Sequence, residues 1–319
     1  MNAQLTVVVL TLNEEKNVAD CLASLAAQHD KRFEVILVDA ASGDRTLEIA
    51  RAMAADFPVP LRIEAATTRL AIGEARNLGV QLAQTPNVAF LSADAEAAPD
   101  WTARALAGLE TAHMVFGRQV HQPRNWTVGA AVRGLRYNFP GGPAKDPLQY
   151  ASNVAAAYRR NVLQAHPFDP WANAAEDLLL ARRAAQAGAI ALYDPHLVVR
   201  HHDVDAAGIE WRKNVREGEG WAVYRSELGY LPELLAWGGL VAAAAVFAIV
   251  MPNPFSIAGA VLALWLPALR RTLRRRAEPI PMRGLALGLV ASPAFDLAFL
   301  ASYVRGLAVR KSRLPETPT

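Results

Sequence analysis

The sequence predicts an α/β fold, with a mainly parallel sheet packed between helices, followed by a C-terminal helical membrane domain. Three observations carry this reading. Short β-branched runs alternate with helical patterns as far as residue 91, an uncharged run occupies residues 234–269, and the charge changes sign between the two regions. Residues 1–232 hold 23 Lys and Arg against 26 Asp and Glu, a net −3, whereas residues 233–319 hold 10 against 4, a net +6. At 319 residues and 52% hydrophobic content, the chain buries more apolar side chain than one ordinary core needs.

The first apolar run, Leu5 to Leu12, lacks a basic flank and leads straight into Asn13-Glu14-Glu15, so it reads as a buried strand and not as a signal peptide. Val18, Cys21, Leu22 and Leu25 recur at helical spacing, and residues 34–38 form a second β-rich run. A helix over 47–55, a strand over 61–63, a helix over 73–82 and a strand over 88–91 continue the alternation, as expected for a sheet covered on both faces. Farther on, a helix over 178–186 stops at Gly188, and Leu197–Arg200 reads as a strand ending in His201-His202. Cys21 is the single cysteine, which rules out an internal disulfide and leaves a cytosolic first domain as the default. The sequon Asn125-Trp126-Thr127 is accordingly read as unmodified.

In a parallel sheet the ligand crevice lies at the carboxyl ends of the strands. Asp39 ends the second strand where a ribose-binding acid would stand, yet strand one runs into Thr11-Leu12-Asn13 with no G-x-G-x-x-G turn, and no G-x-x-x-x-G-K-[ST] loop follows. Nicotinamide, flavin and P-loop chemistry are set aside on that ground.

The uncharged run is interrupted at Pro252-Asn253-Pro254, a turn signal that divides it into two helix-length halves, a hairpin suited to a bilayer, with Trp237 and Trp265 near segment ends as interfacial anchors. Arg270, Arg271, Arg274, Arg275 and Arg276 follow at once. Beside a membrane exit they read as a cytoplasmic, lipid-facing cluster and not as a nucleic-acid patch. A third apolar segment, 284–304, contains Pro293 and Asp296 between Arg283 and the basic tail Arg305, Arg310, Lys311 and Arg313. It fits either a span or a re-entrant pair bent at Pro293.

Thr11-Leu12-Asn13-Glu14-Glu15, Val38-Asp39-Ala40-Ala41-Ser42-Gly43-Asp44-Arg45-Thr46, Ala75-Arg76-Asn77-Leu78-Gly79, Ser92-Ala93-Asp94-Ala95-Glu96 with Pro99-Asp100-Trp101, and Ala175-Glu176-Asp177-Leu178-Leu179 together resemble glycosyltransferase family 2, in the family's order, over about residues 5–225. The resemblance implies a GT-A nucleotide-sugar-binding domain over 1–207; an amphipathic interfacial helix region over 208–231 follows, and the membrane domain read from the uncharged run occupies 232–319. It also implies roles. Asp39 would bind the nucleoside, with Thr11, Asn13, Glu15 and Ser42 around it. Asp94 and Glu96 would hold Mg²⁺ or Mn²⁺ in place of the family's Asp-x-Asp pair, and His201 would approach the metal or diphosphate. Arg76 would face the donor phosphates, Arg216 would close over the donor, and Asp177 beside Glu176 would be the general base.

Each residue has a plainer reading. Asp39 to Asp44 could be an Asx-type turn capping the next helix, and acids in a first helical turn are ordinary dipole partners. The Gly- and Pro-rich loop from Asn125 to Tyr150, with Arg133, Arg136 and Lys145, is expected to form much of the acceptor site. The implied activity is an inverting, metal-dependent transfer from a nucleotide-sugar donor to a lipid-linked or glycan acceptor in surface polysaccharide assembly. Membrane lipids are the further partners, nucleic acid is none, and the location is a bacterial-type inner membrane with the catalytic domain cytoplasmic. A polyprenyl-phosphate acceptor and a catalytically silent nucleotide-sugar-binding scaffold are the alternatives.

Overall fold

The structure, a computed structural model, describes residues 2–136, 142, 144–170, 175–202, 207–224, 232–274 and 282–307. The expected alternation is present as β1 (Leu5–Thr11), α1 (Val18–Ala26), β2 (Phe33–Asp39), α2 (Thr46–Ala54), β3 (Leu61–Ala65), α3 (Ile72–Leu82) and β4 (Asn87–Ser92). These strands pair in the order β3-β2-β1-β4, all parallel. Thr11 lies opposite Asp39 and Leu10 opposite Ser92, so the carboxyl ends of β1, β2 and β4 form one rim.

Beyond β4 the sheet becomes mixed. β5 (Ala95–Ala97), β6 (Met114–His121), β7 (Ala155–Arg159) and β8 (Ala191–His201) continue it as β7-β6-β8-β5. β7 runs antiparallel to β4 and β6, β8 parallel to β6, and β5 antiparallel to β8. Successive residues of a strand point to opposite faces, and β1 uses both. Val7 and Val9 join a cluster with Val18, Leu22 and Leu25 of α1, Ala50 of α2, and Trp101 and Leu106 of α4 (Trp101–Thr111). Val8 faces the other way, into a cluster with Ala75 and Val80 of α3, Val162 of α6 (Arg160–Ala165) and Leu180 and Ala184 of α7 (Glu176–Gln186). Burial on both faces is why these strands read as continuous apolar runs.

Two units emerge from the packing: Met1–Gln122 with Phe139–Asp203, and Pro123–Asn138 with Val204–Thr319. The second is helical among the described residues, with α5 (Val128–Arg136), α8 (Ala207–Val223), α9 (Pro232–Val250), α10 (Pro254–Arg274) and α11 (Met282–Leu307). Part of the expected acceptor loop is therefore the helix α5, and its Arg133 is buried in an ion pair with Glu210 at 3.0 Å. Small residues let these helices approach closely. A Cβ on Gly288 would come 2.8 Å from the Ala131 oxygen, and one on Gly306 would come 2.7 Å from Ala222 Cβ. α8 is two-faced, with Asn214, Gly218 and Ala222 buried and Trp211, Arg212 and Arg216 exposed.

The hairpin turn falls where the sequence placed it. Asn253 Oδ1 accepts from the amides of Phe255 and Ser256, both at 3.0 Å, and so caps α10. The two tryptophans, however, are not free anchors: Trp237 donates to the Ala263 carbonyl at 2.8 Å and Trp265 to that of Leu289 at 2.9 Å. The hairpin's apolar stretches, Leu234–Val250 and Pro254–Leu269, are shorter than the ~20 residues a span needs. Among the described residues only α11 is long and apolar enough to cross a membrane, with a mean hydropathy of 1.7, and it is one continuous helix that includes Pro293. Arg275, Arg276, Arg310, Lys311 and Arg313 lie outside the described residues.

Gly117 sits at a register shift between β6 and β8, and a Cβ there would run into the Leu197 backbone oxygen. Gly117→Ala is expected to cost about 1–3 kcal/mol of stability by overpacking, read as a lowered midpoint in thermal denaturation.

Candidate active site

The first group of residues lies at the ends of β1 and β2. Asp39 is fully buried, and its carboxylate accepts hydrogen bonds from Thr11 Oγ1 at 2.8 Å, from the Ser42 amide at 2.8 Å and from the Ser42 hydroxyl. Ser42 Oγ in turn accepts the Asn13 amide at 2.9 Å, and Asn13 Oδ1 accepts the Gly43 amide at 2.9 Å. Asn13 has φ 59°, a left-handed conformation that Asn tolerates through its short polar side chain. Asp44 accepts the Thr46 amide at 3.0 Å and the Glu15 amide at 3.1 Å. Asx-type hydrogen bonds therefore tie the ends of β1 and β2 together through Asp39, Ser42, Asn13 and Asp44.

The second group follows β4. Asp94 Oδ1 lies 2.9 Å from His201 Nε2 and accepts from Ser92 Oγ, while Glu96 pairs with His202 Nε2. The antiparallel pairing of β5 with β8 sets Ala95 opposite His201 and brings these imidazoles to the two acids. His201 is almost wholly buried, and its Nδ1 lies 2.8 Å from the Gln119 amide nitrogen. With that amide donating, the ring proton sits on Nε2 and goes to Asp94. His201, expected near the metal or diphosphate, is thus hydrogen-bonded to one of the two expected metal acids.

Glu14 completes this group and was not singled out from the sequence. Its carboxyl is pushed up to about 7, first by burial and then by the nearby negative charge of Asp94. Asn17 donates to it at 2.8 Å. Glu15, which was singled out, is exposed and accepts the Arg45 amide at 3.3 Å. Of the two adjacent glutamates, Glu14 is the less exposed and the one near Asp94. The helical run from Val18 could have signalled this, because Asn17 and Glu14 lie one turn before it.

The third group is at the start of α7. Asp177 is half-buried, with Oδ1 accepting the Leu178 amide at 2.8 Å and Oδ2 the Asn153 amide at 3.3 Å. Burial, then the adjacent Glu176, push its carboxyl up to about 6, and Arg76 opposes them. Glu176 is buried and ion-paired with Arg76. Arg76, expected at the donor phosphates, is itself buried, with its guanidinium 5.3 Å from the Phe168 ring centroid and 6.0 Å from that of Phe90. Arg216 belongs to the second unit, on the exposed face of α8.

Among the described residues no three His, Cys, Asp or Glu side chains are disposed to hold a metal alone. Asp94 and Glu96 nevertheless supply hard carboxylate oxygens two residues apart in the chain, and a small divalent cation commonly takes one or two protein carboxylates and completes its shell with phosphate oxygens and water. The residues fit such an ion on that footing.

Comparison with known proteins agrees with this architecture. Residues 6–166 match the family described as Glycosyl transferase family 2. The chain is 33% identical over 162 residues to a PGL/p-HBAD biosynthesis glycosyltransferase of Mycobacterium bovis, a match covering 49% of this chain and 59% of that relative. It is 26% identical over 243 residues to the glycosyltransferase AglE of Haloferax volcanii, covering 73% of this chain and 79% of AglE. Among solved structures, a mannosyltransferase from Pyrobaculum calidifontis in complex with GDP-Man and Mn²⁺ is 21% identical, with a TM-score of 0.61 over 95% of this chain and 88% of that one. S. aureus TarS 1-349 in complex with UDP-GlcNAc is 17% identical, with a TM-score of 0.54 over 96% and 90%. At these identities the structural likeness is one of fold.

Ser42 joins Asp39 to Asn13, so Ser42→Ala is expected to lower stability by about 1 kcal/mol and to speed hydrogen exchange at the Asn13 amide about five-fold. Unchanged exchange there would show that the hydroxyl is not what holds the turn.

Proposed function

The chain belongs to glycosyltransferase family 2, and on that premise we propose that it transfers a sugar from a nucleotide-sugar donor to a hydroxyl of a lipid-linked or glycan acceptor, with inversion at the anomeric carbon. The observation that carries the reading is Asp177. A carboxyl pushed up to about 6 is a stronger base than an ordinary aspartate and is still mostly ionised at neutral pH, the compromise that proton abstraction from a hydroxyl calls for. The Asn153 and Leu178 amides hold the carboxylate in place.

The reaction follows from these groups. Asp177 takes the acceptor hydroxyl proton as that oxygen bonds to the anomeric carbon, and the bond from this carbon to the nucleoside diphosphate breaks on the opposite face. A single displacement inverts the configuration. Thr11, Asn13, Asp39 and Ser42, with Glu14 and Glu15 beside them, would bind the nucleoside. Asp94 and Glu96 would hold Mg²⁺ or Mn²⁺, which when bound offsets the charge of the leaving diphosphate. His201 would steady Asp94, and Glu176 would act through Arg76.

A base of this strength favours a hydroxyl acceptor over a polyprenyl phosphate, which arrives already deprotonated. The apolar helix α11 and the exposed Phe247, Ile249, Val250 and Phe255 of the hairpin region support a membrane setting, and hence a lipid-linked acceptor in surface-glycan assembly at an inner membrane. In that setting the first unit and Arg270–Arg276 would face the cytoplasm.

Because Asp177 is active only when deprotonated, kcat/KM is expected to fall on the acid side with an apparent pKa of about 6. Asp177→Asn should lower transfer by about two to four orders of magnitude and abolish that limb, with donor affinity little changed. Weakened donor binding with a near-normal transfer step would make Asp177 a binding group instead. Excess chelator, or Asp94→Ala, should stop transfer, and Mn²⁺ should restore the chelated wild type; full turnover in chelator would remove the metal from the reading.

A further inference from the structure

Arg76 stands on α3, far along the chain from the acid it meets. Both side chains of the Arg76–Glu176 pair are only 9% exposed, and the guanidinium packs against Phe90 and Phe168. A buried pair of this kind costs desolvation that its mutual attraction barely offsets, so stability alone is a weak reason for it. Its position supplies a better one. Glu176 is the first residue of α7, and Ala175 before it is held at φ 59°, a conformation an alanine rarely adopts unaided. The next residue is Asp177.

Anchoring Glu176 to Arg76 therefore fixes the turn from which Asp177 projects. It also balances charge. The groups facing Asp177 are Glu176 on its own helix, Arg76 from α3 and Tyr158 from β7, together with the Leu178 and Asn153 amides. Tyr158 is neutral, its hydroxyl donating to Asn153 Oδ1 at 2.7 Å. Two neighbouring carboxylates thus share the field of one guanidinium.

We propose that Arg76 is the positioning residue for Asp177, fixing the first turn of α7 through Glu176 and supplying the positive charge that offsets the two adjacent carboxylates. This rests on Asp177 being the base, yet the charge balance can be read without any transfer assay. Removing the charge of Arg76 should make Asp177 hold its proton to higher pH. Removing that of Glu176 should do the reverse, because Arg76 then serves Asp177 alone.

The test is titration of the Asp177 carboxyl carbon by ¹³C NMR in the purified full chain, with the resonance assigned by its loss in D177N. R76M should raise the midpoint by about one pH unit or more, and E176Q should lower it by a similar amount. R76K should stay near wild type, and R76M/E176Q should fall between the single variants. Midpoints that do not move, or that move the same way in R76M and E176Q, would overturn the proposal. If R76M does not fold, E176Q decides alone: an unmoved or raised midpoint refutes it. A normal transfer rate in D177N would instead defeat the base assignment while leaving the titration result standing.

Discussion

A carboxylate taken out of water is costly unless donors meet it, and the acids at the strand ends are placed by the donors that burial requires. Asp39 is held by Thr11 and Ser42, Asp94 by Ser92 and His201, Glu176 by Arg76, and Asp177 by two backbone amides. The parallel strands bring Asp39 and Asp94 to one rim, and the first turn of α7 carries Glu176 and Asp177. What the site can do chemically follows from how incompletely each acid is compensated. Glu14 and Asp177, each buried with a second carboxylate nearby, are the two whose carboxyls are pushed up towards neutrality.

The N-terminal half of the sheet was legible because burial on both faces writes β1, β2 and β4 as runs of Val, Leu and Phe. β7 was not, since Ala-Ala-Ala-Tyr-Arg carries no β-branched residue; its strand is dictated by β4 and β6 on either side. α5 was hidden in a stretch whose glycines and prolines read as loop. Asp39, Asp94, Glu96, Glu176 and Asp177 stood out as candidates because each lies in a local motif at a strand or helix end. Their partners did not: nothing local ties Arg76 to Glu176 or His201 to Asp94, and which of Glu14 and Glu15 turns inward depends on how the β1 loop meets α1. Sequence spacing gives the acids, and only the fold gives their protonation.

The second unit follows a different rule. Its helices meet through glycines, alanines and serines, as at Gly218 against Ser302 and Gly284 against Trp126, and keep many of their large apolar side chains outside. That is the reverse of the first unit, where Val, Leu and Phe turn inward. Close backbone approach through small residues is how helices associate when their surroundings are as apolar as they are. Trp237 and Trp265, which composition alone would assign to an interface, spend their indole N–H groups on neighbouring helix carbonyls.

The path of the chain between the units has a practical consequence. It leaves the first unit at residue 122, returns at 139 and leaves again at 203, and the excursion carries α5, whose Ala131 and Leu135 pack on Gly288 of α11 and whose Arg133 pairs with Glu210. The two units are therefore not beads joined by one tether. A truncation after residue 203 would keep α5 but strip away its helical partners, stranding an apolar surface and a buried cation in water. The fold would have to be dissected as an insertion, with residues 123–138 replaced by a short polar turn, before the sheet domain could be handled by itself.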